Sequence, residues 1–323
     1  MESGIVGNMT SDSRGFRFDF ALDTATEPAI GSNLLDNSRD ERERGKLEFL
    51  QGMEALTKDE SMQSLDSTIA LALTDTESLR KVRNPITADY VVVDEIERKG
   101  TDIIPGRYGG GLKVWECSLD LCRYIWSRRD SMKIRCALEL GCGHGLPGCL
   151  LLRIGFQSGC HTNVLFSDFN DFVLKGVTMP NIILNTTGFP LEQVANSVAL
   201  GAGDWLEMSR RLEQGQQGIP QLPIDGRFDL VLAAETTYTT ETSQDTAILL
   251  AKHISIGGMG LVATKRYYFG CGGGSDAFRD ALAAEQATIE GRTYRLCATT
   301  VGVIDCGSGN IRELLEVKLH LEP

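Results

Sequence analysis

Short apolar runs and helix-length segments alternate along most of this chain. Tyr90–Ile96, Cys136–Leu140, Asn163–Ser167, Ser197–Leu200, Arg227–Ala234 and Gly260–Thr264 are β-branched or continuously apolar and predict strands. Between them Leu119–Trp126, Leu146–Ile154, Phe172–Asn185 (disturbed by Pro180), Ser243–Ile254 and Asp276–Ala287 predict helices. Such alternation predicts an α/β fold built on a doubly wound, mostly parallel sheet. The last two runs, Thr293–Val303 and Ile311–Leu321, flank the short turn Cys306–Asn310 and predict a terminal antiparallel hairpin, which the ordinary dinucleotide fold lacks. Ahead of all this, residues 1–46 are rich in Ser, Asp, Asn, Thr and Gly, and Arg39–Lys46 is a mixed-charge run. Leu47–Leu56 and Asp66–Leu79 predict short helices. Pro85 places a boundary between a mostly disordered extension, 1–85, and a domain covering 86–323. Within the extension, Phe16-Arg-Phe-Asp-Phe20 suits either an added edge strand on a partner or a tether onto the chain's own domain.

The pattern is sharpest at residues 136–148. A buried strand ends at Leu140, Gly141, Gly143 and Gly145 follow at alternate positions, and a helix begins at Leu146. Glycine lets the chain turn sharply and lets a ligand approach the backbone, while the helix start offers free N–H groups. Gly143, Gly145 and Gly148 also match the G-x-G-x-x-G dinucleotide fingerprint, with Asp168 twenty residues beyond Gly148. Glu139 at the strand end, followed by Gly141-x-Gly143-x-Gly145, resembles instead the first motif of seven-strand S-adenosylmethionine methyltransferases. A turn whose glycines serve packing alone is the third reading.

Composition narrows the class. The 323 residues are 42% hydrophobic, enough for a sizeable core, and contain no apolar run of membrane-spanning length. The beginning of the sequence lacks the pattern of a secretory signal. Nine cysteines without a C-x-x-C pair read as reduced, mostly buried thiols, and four scattered histidines give no metal cluster. A net charge of −12 argues against direct nucleic-acid binding and suits a basic protein partner.

The remaining candidate chemistry lies at predicted strand ends. Asp168, with Phe169 and Asn170, is placed to accept ribose hydroxyls. Gly203, Asp204 and Trp205 suit an adenine, carboxylate to the exocyclic amine and ring against the base, a pair that dinucleotide enzymes do not usually carry there. Trp115 and Glu116 precede the helix that runs toward the glycine corner; Trp115 either covers a ligand or wedges its loop into the core. Ala234 and Glu235 close the fourth of the strands counted from the glycine corner, and Lys265–Gly274 joins three aromatics to four glycines.

Together, Ile104-Pro-Gly106, Gly110-Gly-Leu-Lys-Val-Trp-Glu-Cys117, Leu138-Glu-Leu-Gly-Cys-Gly143, Asp168-Phe-Asn170, Pro180-Asn181, Gly203-Asp-Trp205, Glu235-Thr-Thr-Tyr238 and Tyr268-Phe-Gly-Cys-Gly-Gly-Gly274 resemble the histidine protein methyltransferases. The match covers about Asp102 to Phe278, and its most specific parts are Leu-Lys-Val-Trp-Glu and Tyr-Phe-Gly-x-Gly-Gly-Gly. This resemblance implies a seven-stranded Rossmann-like sheet, S-adenosylmethionine as methyl donor, and the tele nitrogen of a histidine in a large-subunit ribosomal protein as acceptor. Cofactor contacts are implied from Val114, Trp115, Glu116, Cys117 and Ser118, from Glu139, Gly141 and Gly143, from Asp168, Phe169 and Asn170, from Gly203, Asp204 and Trp205, and from Ala234. His144 and Ala234 stand where small hydroxyl residues are expected.

A neutral imidazole needs no strong base, because its free pKa is about 6.5. It needs the correct tautomer: a carboxylate that accepts the other ring N–H leaves the distal lone pair free. Glu235 is the first candidate for that role and Glu116 the second. Tyr238, Tyr267, Tyr268, Phe269, Gly272 and Gly273 are expected to form the acceptor pocket. A lysine methyltransferase of the same fold, a dinucleotide enzyme and a catalytically silent binding module are the competing readings. A monomer located in the cytoplasm, the nucleus or both is expected, although no basic nuclear address is visible.

Overall fold

The computed structural model describes residues 54, 56–58, 68–83, 102–104, 106–215, 222–307 and 309–322. The Phe16–Phe20 motif, the Pro85 boundary and the strand expected at Tyr90–Ile96 lie outside them. Eight strands form the main sheet: β3 (Cys136–Leu140), β4 (Asn163–Asp168), β5 (Val198–Ala202), β6 (Phe228–Ala234), β7 (Ile254–Lys265), β8 (Gln286–Ile289), β9 (Arg292–Asp305) and β10 (Ile311–Leu321). Their order is β5-β4-β3-β6-β7-β10-β9-β8. The strands from β3 to β7 run parallel. β10 is inserted antiparallel between β7 and β9, so the terminal hairpin closes the sheet as expected.

The seven-strand expectation holds except at the outer edge, where β8 is an eighth strand. The helix predicted over Asp276–Ala287 stops at Ala284, and β8 begins at Gln286, with Ala287 buried between exposed neighbours. A two-residue alternation had been absorbed into the end of a helical pattern.

Helices cover both faces, which is why β3 is buried at all five positions and reads as an unbroken apolar run. On one face lie α1 (Glu116–Arg128), α2 (Leu146–Ser158), α3 (Met179–Asn185) and α4 (Leu191–Ala195), joined through Leu121, Ile125, Leu150, Ile182 and Val194 to Ala137 of β3. Against the other, α5 (Trp205–Glu213), α6 (Thr240–His253) and α7 (Ser275–Ala284) pack Leu212, Leu250 and Phe278 onto Leu138 and Leu140. The disturbance expected at Pro180 is a π-helical turn, Leu174–Thr178, directly before α3.

The helix expected at Asp66–Leu79 is instead a hairpin of β1 (Thr68–Ala72) and β2 (Ser78–Val82). Its stability comes from residues a hundred positions away. Asn185 accepts from the Arg80 N–H at 2.9 Å and donates to the Arg80 carbonyl at 2.7 Å, and Asn181 accepts from the Val82 N–H at 2.8 Å. Two asparagines of α3 thus stand in for a neighbouring strand, while Leu79 and Val82 are buried.

A buried ion pair ties the terminal hairpin to α1. Arg312 Nε donates to Asp120 Oδ2 at 2.5 Å, with the two side chains only 7% and 4% exposed. Without Arg312, buried Asp120 keeps only the half-exposed Arg123 at 3.3 Å, so Arg312→Met is expected to cost about 3 kcal/mol in chemical unfolding, and the double variant Asp120→Leu/Arg312→Met to recover most of it.

Candidate active site

The chain leaves β3 toward β4 on one side of the sheet and leaves β6 toward β7 on the other, so a crevice opens where the carboxyl ends of β3 and β6 lie side by side. Gly141, Gly143 and Gly145 turn the chain there with φ of 56°, 50° and 64°. Close packing fixes the following helix: a Cβ on Gly148 would lie 2.4 Å from the Phe166 ring and 2.6 Å from Glu139 Oε2. Glu139 accepts the Gly148 N–H at 2.8 Å, so its carboxyl sits beneath the start of α2. Burial pushes it from the ordinary carboxylate range up to about 8.

Asp168, at the end of β4, uses one oxygen to accept the Gly143 N–H at 2.9 Å and the other to accept the Asn170 N–H at 3.1 Å. A carboxylate with two such oxygens is the kind of group that accepts from a vicinal diol. Burial raises this carboxyl to about 6. Phe169 beside it is an exposed aromatic. The Gly203 N–H donates to the Asp168 carbonyl at 3.0 Å, which brings the β5 end alongside. Asp204 caps α5 by accepting the Glu207 N–H at 3.0 Å. Trp205 lies over Gly141, where an added Cβ would meet its ring at 3.1 Å, and its buried Nε1 has no hydrogen-bond partner among the described residues.

The loop before α1 roofs this corner. Asn170 accepts from the Gly109 N–H at 3.1 Å and donates to the Arg107 carbonyl at 2.7 Å. His144 Nε2 lies 3.0 Å from the Leu112 carbonyl and Nδ1 lies 3.0 Å from the Asn181 amide. The amide donates, so the proton is on Nε2 and the ring is neutral; burial depresses its pKa to about 4. His144 therefore anchors the roof where a small hydroxyl residue was expected. Trp115 donates to the Gly110 carbonyl at 3.1 Å and carries Lys113 Nζ 4.5 Å above its ring. Val114 and Ala234 pack partly buried against the α1–α2 core, and the Ser118 N–H donates to the Trp115 carbonyl at 3.1 Å.

Glu235 follows β6 with φ of 58°, a strained value for a residue with a Cβ. Tyr268 donates its hydroxyl to Glu235 Oε2 in a short hydrogen bond, and Oε1 is buried without a hydrogen-bond partner among the described residues. Cys117 lies beside Glu235, and its thiol is pushed up by burial and by that carboxylate. Lys265 Nζ stands 3.8 Å from Oε1. The second-ranked carboxylate, Glu116, goes elsewhere: it accepts from Asn310 at 2.5 Å and lies 3.4 Å from Arg312. Adjacent residues on a helix point in different directions, so Cys117, and not Glu116, meets Glu235.

The glycine-rich loop after β7 is pressed onto the Glu235 loop. Gly274 donates to the Thr237 carbonyl at 2.9 Å, and a Cβ on Gly273 would fall 2.2 Å from that same oxygen. Gly272 bridges to Thr239. This docking brings Tyr268 inward and leaves Tyr267 and Phe269 as an exposed pair, Phe269 at 88% exposure, with ring centroids 6.4 Å apart. Half-buried Tyr238 lies near Cys271, and burial raises its phenol. Sequence reasoning missed Lys265, Tyr108 and Gly111. Tyr108 accepts the Leu112 N–H at 2.8 Å, and a Cβ on Gly111 would meet Asp168 Oδ2 at 3.1 Å. Only strand pairing and loop docking make these residues neighbours of the site.

A family model described as lysine methyltransferase matches residues 105–268, a span that includes Glu139, Asp168, Trp205, Glu235, Lys265 and Tyr268. The chain belongs to this methyltransferase family. Curated relatives carry a histidine name. The histidine protein methyltransferase 1 homolog of Dictyostelium discoideum is 33% identical over 67% of this chain and 60% of its own length. That of Rattus norvegicus is 31% identical over 64% and 58%, and histidine protein methyltransferase 1 of Schizosaccharomyces pombe is 31% identical over 56% and 59%. The chain thus matches at most 60% of the length of these relatives.

The methyl donor of such an enzyme is S-adenosylmethionine, and the residues present fit it. Asp168 presents a buried carboxylate for a ribose, Trp205 has a donor without a partner among the described residues beside the glycine turn, and Phe169 offers an apolar face. Among the described residues no helix is long and apolar enough to cross a membrane.

Glu139 yields a test. Its folded pKa of about 8 lies above the ordinary 4.5, so the folded state holds a proton that the unfolded state has released, and stability falls as pH rises through that window. Glu139→Gln is expected to remove about 2 kcal/mol of that decline between about pH 6.5 and 8, read by urea unfolding at both pH values.

Proposed function

We propose that this protein is a protein-L-histidine N-tele-methyltransferase that acts on a large-subunit ribosomal protein. The observation that carries this reading is Glu235 Oε1, a buried carboxylate oxygen without a hydrogen-bond partner among the described residues, at the sheet's switch point. A buried acceptor left unpaired is costly, and an incoming N–H relieves it. The histidine names of the relatives favour an imidazole as the source of that N–H.

When bound, S-adenosylmethionine supplies an electrophilic methyl group whose bonding pair leaves with sulfur. The work of the chain is placement. Glu235 Oε1 accepts the acceptor's Nδ1–H, which fixes the tautomer and leaves the Nε2 lone pair, the tele position, free to attack. Tyr268 holds the other carboxylate oxygen, so the group cannot rotate away from the ring. As the new N–C bond forms, the ring becomes cationic; Glu235 stabilises that charge, and the Nδ1 proton is then lost to solvent. Asp168 holds the ribose, and the roof built on His144 and Asn170 excludes water from the corner. Tyr267, Phe269 and Tyr238 form the lip that receives the acceptor loop. The net charge of −12 suits a basic ribosomal protein, met in the cytoplasm or the nucleus.

Proteins stripped from large ribosomal subunits, incubated with labelled S-adenosylmethionine and hydrolysed, should yield tele-methylhistidine. Glu235→Gln should lower the single-turnover rate about 100-fold with donor affinity nearly unchanged, and Asp168→Ala should weaken donor binding about 100-fold. Methyllysine as the sole product, or an unchanged rate for Glu235→Gln, overturns the reading.

A further inference from the structure

Lys265 closes β7. The pairing of β7 with β6 sets Ala263 beside Ala234 and so brings Lys265 up to Glu235. Its side chain is 24% exposed, and Nζ is 3.8 Å from Glu235 Oε1, close enough for charge pairing but not for a hydrogen bond. Nζ also lies 5.7 Å from the Trp115 ring centre and 5.6 Å from that of Tyr268. The enzyme's own ammonium group therefore occupies the aromatic faces that would welcome a foreign cation, and it balances the carboxylate without consuming the lone pairs of Oε1.

We propose that Lys265 is the residue that selects the acceptor, biasing this pocket toward a neutral imidazole and against a protonated amine. The inference rests on the histidine reading of the same site. At neutral pH a free lysine is protonated and a free histidine is mostly neutral. An amine docking on Oε1 would bring a second cation to within a few ångströms of Nζ, where like charges repel strongly in a partly desolvated site. A neutral ring meets no such barrier. The other groups packed around the carboxylate do not alter the balance: Tyr268 is a neutral donor to Glu235, the Cys117 thiol beside it is pushed up by burial and so stays neutral, Lys113 is paired with Asp102 at 2.7 Å, and Glu116 is engaged by Arg312.

Full-length wild type, Lys265→Met, Lys265→Gln and Lys265→Arg are each incubated with labelled donor and large-subunit ribosomal proteins, and methyllysine and tele-methylhistidine are counted after hydrolysis. The methyllysine-to-methylhistidine ratio should rise about tenfold or more in Lys265→Met and Lys265→Gln, and stay near wild type in Lys265→Arg. The acid limb of histidine methylation should also move upward by about half a pH unit or more in the neutral variants, because an unbalanced carboxylate favours the protonated ring. A merely structural role would lower both products together and leave ratio and limb unmoved, which overturns the proposal; so does a raised ratio in Lys265→Arg. A wild type that makes no methylhistidine overturns the histidine reading itself, and this inference with it, before any variant is compared.

Discussion

The site depends on backbone meeting backbone with no room for a side chain between. Four segments are stacked this way, in two pairs, at the carboxyl edge of the sheet. A Cβ on Gly143 would lie 3.0 Å from the Gly111 carbonyl, so the roof loop rests directly on the glycine turn. On the other side of the crevice, Gly273 sits against the Thr237 and Tyr238 backbone. The first contact positions the donor corner around Asp168; the second swings Tyr268 onto Glu235. Because both contacts are steric, they fix distances more rigidly than exposed hydrogen bonds would, and rigidity is what an alignment-driven transfer requires.

The glycine corner and the strand ends beside it were legible in the sequence because their signals are local. Leu138 and Leu140 flank Glu139 in a run short enough to be a buried strand, the glycines follow at once, and Asp168 stands at the next strand end. The acceptor half was legible only as a set of suspicious residues. Nothing along the chain says that Cys117 and not Glu116 faces Glu235, since that is decided by how α1 rolls against β10 through the Asp120–Arg312 pair. Nor does local pattern reveal that Thr68–Val82 is a hairpin: the partners of its outer edge are Asn181 and Asn185, and helix periodicity was the stronger local signal. Glu139, for which the family resemblance implies a cofactor contact, is held by close packing at Gly148 beneath the helix start, a placement no local pattern gives.

The same asparagine that completes the hairpin also orients His144, and His144 holds the Leu112 carbonyl of the roof. One continuous line of hydrogen bonds therefore runs from β2 through α3 to the loop that covers the donor corner. The neutrality of His144 is part of that line. A second proton would leave Nδ1 with nothing to accept from Asn181, so burial and hydrogen bonding together keep the ring uncharged.

Between a family described by lysine and relatives named for histidine, the donor corner cannot decide, because nothing in it meets the acceptor. The decision falls to the few groups around Glu235. Burial and the neighbouring carboxylate push the Tyr268 phenol upward, which favours the protonated form that donates to Oε2. Oε2 is thus filled, and Oε1 is left as one directed acceptor with a cation already beside it. A site with one fixed acceptor and a balanced charge asks for a ligand that donates once and carries no charge. A neutral imidazole meets both conditions, and a protonated amine, with three donors and a full charge, meets neither.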